Sequence, residues 1–253
     1  MTYRSLSRFS PDFHPNAAFT AVLDAPRIRF RHVALLLLGS VVAGGFVGIL
    51  LGILAYGFTQ SNFVGAFVFG MSLYGSFLLG YHWVAQERDW TSLRVRFAPV
   101  GAKPLVLGAL LALALIGLVS AVYQGLLWAG IKVADVPSPL ELESLKQIPL
   151  ALLLIVVAAP IAEELLFRGL LLDWLRQRMN VWLAASILSV VFSLIHNNPF
   201  SSGAIGWLAF THRFLVGLAA SALAIKYRSL RPSLVLHATL NAAACLVAAF
   251  AAV

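Results

Sequence analysis

Two adjacent glutamates and an arginine interrupt an apolar run at Ala159–Leu172, which reads A-P-I-A-E-E-L-L-F-R-G-L-L-L. An ionisable side chain near the centre of a bilayer costs about 2.5–3.5 kcal/mol on insertion scales. Glu163, Glu164 and Arg168 lie within about one and a half helical turns of each other, so chemistry or transport in a polar cavity has to compensate them. Two more polar clusters follow in later apolar runs: Phe192 with His196 (F-x-x-x-H), and His237 with Asn241 (H-x-x-x-N). Spacing of i, i+4 puts His237 and Asn241 on one helix face, and Glu164 and Arg168 likewise. Glu163 is rotated about 100° from Glu164. The two glutamates therefore divide the work: Glu164 pairs with Arg168 as a frame, and Glu163 faces the cavity.

A carboxylate and two imidazoles from separate helices suit the activation of water. Glu163 is the candidate general base, His196 would position the same water, and His237 with Asn241 would donate to a developing oxyanion. Two His and one Glu also have the composition of a catalytic zinc site. A divalent metal held by Glu163, His196 and His237 therefore stays open beside a metal-free reading, although the local H-E-x-x-H helix of zinc peptidases is absent. Phe192 is read as packing. His212 and Arg213 are read as snorkelling to the outer interface, and His82 and Trp83 as interfacial. Pro160 is expected to free the carbonyl of Val156 and kink its helix. The same residues could serve as a proton relay in a transporter, but no inverted repeat is visible. A non-catalytic membrane scaffold is the other alternative.

The elements that must hold these residues are membrane spans. Of the 253 residues 60% are hydrophobic and 11% charged, well outside the soluble norm. Apolar runs at about Val33–Tyr56, Asn62–Val84, Pro104–Gly130, Ile148–Leu172, Val181–His196, Gly206–Ile225 and Ser233–Val253 predict an all-α polytopic bundle of about seven spans, the fifth being short. The organisation expected is a basic arm at 1–32, a three-span region at 33–147 and a core at 148–253 built from the last four spans. The net charge of +8 reads as loop charge that sets orientation, and no nucleic-acid partner is expected. Fourteen of the eighteen Lys and Arg fall in the arm and in alternate loops, against Lys132 and Lys146 in the others. The arm is therefore expected in the cytoplasm, with a bacterial inner membrane as the location. The single cysteine, Cys245, offers neither a disulfide nor a thiolate metal site.

The three motifs, in this order across consecutive spans, resemble the CPBP family of intramembrane proteases, which includes CAAX prenyl endopeptidases and bacteriocin-processing, Abi-type proteins. The resemblance runs over roughly Ile148–Asn241 and includes R-S-L-R-P-S-L-V-L-H-A-T-L-N. It implies an endopeptidase acting on a membrane-associated or amphipathic peptide, with Glu163 as the catalytic glutamate, His196 aiding water activation, and His237 with Asn241 as the oxyanion site. Family members have been described both as metalloproteases and as metal-independent. One geometric demand accompanies the resemblance. At 1.5 Å per residue, straight helices starting at a common depth would set Glu163, His196 and His237 at different heights. Tilt, a deep start to the fifth span or a re-entrant Asn197–Gly203 segment is needed to join them.

Overall fold

The computed structural model describes residues 28–88, 90–131, 145–196, 198–200 and 203–251. The basic arm lies outside these residues as far as position 27, and so do Asn197, Ser201 and Ser202 of the segment expected to be re-entrant.

Seven long helices match the seven apolar runs, because in a bilayer a helix satisfies its own backbone hydrogen bonds. They are α1 (Phe30–Thr59), α2 (Asn62–Glu87), α4 (Ala102–Trp128), α5 (Ile148–Arg176), α6 (Val181–His196), α7 (Gly203–Tyr227) and α8 (Arg231–Ala251). A short α3 (Leu93–Arg96) lies in the connection before α4. Five of these helices are long and apolar enough to cross a membrane, and α6 is shorter, as its sequence predicts. The bundle turns apolar side chains outwards along its length, Phe46, Ile53, Leu110 and Val247 among them. The chain is thus an integral membrane protein of helical-bundle architecture.

Apolar burial does little to hold helices together in lipid, so close approach does the work. Gly44, Gly48 and Gly52 form a stripe on α1 against Ser76, Phe69 and Gly65 of α2. On α7, Gly217 meets Ser189 of α6, where an added Cβ would come within 2.8 Å of the serine side chain. On α4, Gly108 lies against the Pro232 carbonyl of α8.

The connections at one end of the bundle are tied together by hydrogen bonds. Leu230 N–H donates to the Arg96 carbonyl at 2.8 Å, and Ser229 Oγ donates to Ala98 O at 2.8 Å. Arg231 Nε donates to Phe97 O at 2.8 Å, and Arg178 Nη2 to Ile28 O at 2.9 Å. Arg96 also pairs with Asp173 and donates from Nε to the Tyr81 hydroxyl. At the other end Gln147, just before α5, donates to Ser61 Oγ between α1 and α2 at 3.0 Å.

Glycine contacts of this kind tolerate no side chain. A Cβ at position 108 would sit 2.4 Å from the Pro232 carbonyl, whereas one at 117 on the same helix meets nothing within 4 Å. Gly108→Ala is expected to cost about 1–3 kcal/mol of stability by overpacking, read as a lower melting temperature in detergent. Gly117→Ala should leave the melting temperature unchanged or slightly raised.

Candidate functional site

The site is built on a helix that is not regular. Within α5, residues Leu152–Ala158 and Leu165–Leu171 are π-helical and flank a regular turn at Ala159–Glu164. Wide turns of this kind cluster at functional sites. Here the cause of the first is visible in the sequence. Ala159 N–H bonds to the Leu154 carbonyl, five residues back. The next donor in that register would belong to residue 160 and would serve Ile155, but Pro160 has no N–H. The Ile155 carbonyl accepts instead from Asn241 Nδ2 on α8, at 2.7 Å. The carbonyl left to another helix is therefore that of Ile155 rather than Val156, because the helix widens instead of keeping its α register.

Glu164 is fully buried, and its Oε1 is shared. It accepts from Arg168 Nη1 at 2.9 Å and lies 3.0 Å from Nδ1 of His237. Arg168 also donates from Nη2 to the Gly217 carbonyl of α7 at 3.3 Å and places its guanidinium 4.9 Å from the Phe192 ring centroid. The pairing expected of Glu164 and Arg168 is present, and it extends to α6, α7 and α8. Phe192 is buried and packs on Phe167, His196 and His237, with centroids 5.2, 4.5 and 5.8 Å away.

Glu163 points the other way. Its Oε2 is 3.6 Å from Nε2 of His196 and 3.7 Å from Nε2 of His237, and its Oε1 accepts from the Tyr74 hydroxyl at 3.3 Å. Oε2 itself is buried with no hydrogen-bond partner in the protein. The three groups that straight helices would hold at different depths are therefore in one cluster.

The tautomers follow from the outer partners. His196 Nδ1 faces the Phe192 carbonyl at 2.8 Å, and His237 Nδ1 faces a carboxylate. Both acceptors demand a proton on Nδ1. In their neutral forms both imidazoles then turn a bare Nε2 towards Glu163 Oε2, and three lone pairs converge. The donor types suit zinc, yet among the described residues no group of three or more His, Cys, Asp or Glu is arranged to hold a metal ion.

The cluster forms one wall of a cavity of about 690 Å³. Asn241 lines it too, as do Tyr74 of α2 and Ile116, Val119, Ser120, Tyr123 and Gln124 of α4. Sequence reasoning missed Tyr74, whose phenol reaches the carboxylate from 89 positions away, and no local motif marks it. His212 and Arg213, read from the sequence as snorkelling towards the outer interface, line the same cavity, and His212 Nε2 is buried with no hydrogen-bond partner. Their spacing to Val216, i, i+4 from His212 and i, i+3 from Arg213, was the available signal, since Val216 is buried on the cavity side of α7.

Fold and cluster together define a polytopic helical membrane protein with a carboxylate–imidazole site inside the bundle. Residues 145–243 are similar to the family described as type II CAAX prenyl endopeptidase Rce1-like, a family of proteases. The chain is also 35% identical over 130 residues to an uncharacterized 24.3 kDa protein of Escherichia coli. That alignment takes in 49% of this chain and 58% of the relative, so the chain spans little more than half of the relative's length. No solved structure matches the chain.

Pro160 and Asn241 form a testable unit. Asn241→Leu strands a buried carbonyl and is expected to cost about 1–3 kcal/mol. Pro160→Ala supplies a donor within α5 and should recover part of that loss. A double-mutant cycle on thermal unfolding in detergent should therefore show coupling of about 0.5 kcal/mol or more.

Proposed function

We propose that the protein is an intramembrane endopeptidase of a bacterial inner membrane, in which Glu163 activates a water to hydrolyse a peptide bond of a membrane-associated or amphipathic substrate. The observation that carries this reading is the convergence of His196 Nε2 and His237 Nε2 on the unpartnered Glu163 Oε2, 3.6 and 3.7 Å away, in the cavity wall. These separations are too long for direct hydrogen bonds, and a bridging water would donate one hydrogen to Glu163 Oε2 and the other to one imidazole, and accept from the second imidazole once that ring is protonated.

In this mechanism Glu163 takes a proton from the water as its oxygen attacks the substrate carbonyl. The carbonyl π pair moves onto its oxygen, which becomes the oxyanion. Asn241 commits one amide hydrogen to Ile155 and keeps the second for that oxygen. His237, held between Glu164 and Glu163, enters the step already protonated at Nε2 by exchange with cavity water, donates to the same oxyanion and keeps that proton throughout. As the C–N bond breaks, the proton on Glu163 passes to the leaving nitrogen, giving a carboxylic acid and an amine. Tyr74 holds the far oxygen of Glu163 and fixes the direction in which the base points. Glu164 and Arg168 act by positioning His237.

Glu163→Gln keeps the shape and removes the base. Membrane peptides compared by mass spectrometry should lose Glu163-dependent products by about 100-fold or more, with expression and melting temperature unchanged. Retained products would remove Glu163 from the reaction. A chelator arm addresses the metal: loss of products restored by added zinc would assign water activation to a bound ion.

Tyr74→Phe should lower turnover without changing expression, an effect of about 2–10-fold for one lost neutral hydrogen bond of about 0.5–1.5 kcal/mol. Measured as initial rate on whichever product the mass spectrometry identifies, it separates orientation of the base from the base itself.

A further inference from the structure

We infer that the cavity opens on the non-cytoplasmic side of the membrane, so that its substrate is a peptide segment presented from the outer leaflet rather than the carboxyl-terminal tail of a cytoplasmic protein. The inference rests on the protease reading of the same site and names its substrate class.

The contacts between connections define the two ends of the bundle without reference to any membrane. One end gathers the α2–α4 connection with α3, the α5–α6 connection and the α7–α8 connection, joined by Leu230 to Arg96, Arg231 to Phe97 and Arg96 to Asp173. These connections and the helix ends beside them hold Arg88, Arg94, Arg96, Lys103, Arg176, Arg178, Lys226, Arg228 and Arg231. The connections at the opposite end hold Lys132 and Lys146. Nine cations against two makes the first end cytoplasmic.

Each helix then reports which half of the bundle the cavity occupies. On α4, which runs away from the cationic end, the lining residues are Ile116 to Gln124, in its second half. On α7, which runs towards that end, they are Ile205 to Val216, in its first half. On α6 they are Phe192 and His196, in its last two turns, and on α8 they extend from His237 to Val247. On α5 they are Ile155, Ala159 and Glu163, with nothing beyond the first residue past the midpoint of the helix. Five helices of alternating direction give one answer: the cavity lies in the half away from the cations.

The cytoplasmic half is closed below it. Leu165, Leu170 and Leu236 are fully buried there, and the Glu164–Arg168 pair spans the middle. At the other end Trp128 is 97% exposed, and Phe200 stacks edge-on with Trp207, both exposed, as interfacial aromatics do. The upper cavity wall has apolar stretches, Ile116, Val119, Leu208 and Val247, interrupted by the polar Ser120, Tyr123, Gln124, His212 and Arg213. A segment with apolar side chains flanking the scissile bond, already carried across the membrane or forming the outer part of a span, fits this wall. A prenylated cysteine at the cytoplasmic face would lie on the closed side.

Single-cysteine labelling tests the sidedness directly. Cys245→Ala removes the only cysteine. In that background Gln124→Cys places a thiol at the exposed end of the cavity, and Arg94→Cys one at the cationic end. A membrane-impermeant maleimide should modify Gln124→Cys in spheroplasts of a bacterial host and lose that labelling in inverted vesicles. Arg94→Cys should show the reverse. Modification of Gln124→Cys from inverted vesicles only would overturn the inference while leaving the protease reading intact. Outside labelling with no Glu163-dependent peptide products would overturn the protease reading instead. Melting temperatures of both cysteine variants confirm folding before labelling.

Discussion

Everything at the site depends on how one buried oxygen, Oε1 of Glu164, is shared. It sits between Arg168 on its own helix and His237 on α8, at 2.9 and 3.0 Å. A carboxylate with no exposure inside a membrane protein is tolerable only when ion pairing and hydrogen bonds replace its water, and both are present. The arrangement does more than neutralise charge. By accepting from Nδ1 it fixes which nitrogen of His237 carries the proton, and so turns Nε2 towards Glu163. Arg168 passes the constraint on to α7 through the Gly217 carbonyl. That carbonyl is reachable because Gly217 lets α7 come close to Ser189 of α6. Remove the shared oxygen and the neighbouring base keeps its place in sequence but loses its partner's orientation.

A second constraint is a defect put to use. Pro160 cannot complete the widened turn that precedes the glutamates, and the stranded Ile155 carbonyl is the atom that Asn241 seizes. In lipid an unsatisfied carbonyl is costly, so the defect in α5 and the amide in α8 stabilise each other. The motif containing Pro160 and the motif containing Asn241 are thus two halves of one contact between helices. Asn241 is held in place by that backbone carbonyl, which would preorganise it for the donor role proposed above.

Much of this could be read from the residues. Apolar runs mark the spans because composition alone decides what can lie in lipid, and α6 is short in the sequence and short in the structure. The expense of burying charge singles out Glu163, Glu164 and Arg168, and helical spacing separates the two glutamates by direction. Other features have no local signature. The bond from Glu164 to His237 joins residues 73 positions apart, and Tyr74 belongs to a helix with no motif to mark it. The one-residue error over the freed carbonyl, Val156 against Ile155, came from assuming α register where the chain takes a π turn. No cavity position was legible for Arg213 and His212, because a lone cation in an apolar run fits either an interface or a cavity. Only neighbours such as Val216 settle which way that part of α7 faces.

A cavity confined to one half of the bundle also meets a requirement of the chemistry. A peptide bond can be attacked only if it is unwound from helix, and its amide groups then need partners where lipid offers none. Tyr123, Ser120 and Gln124 on α4 stand across the same cavity that Asn241 and His212 line, and they supply polar groups at the level where an unwound segment would pass. The apolar residues between them accept side chains without competing for those bonds. On the proposed function water and the peptide would reach the glutamate from the same side, opposite the packed leucines and the Glu164–Arg168 pair. A site open at both ends would conduct ions along its charged residues. Closure on the cationic side therefore lets a hydrated carboxylate sit inside a membrane without breaching it.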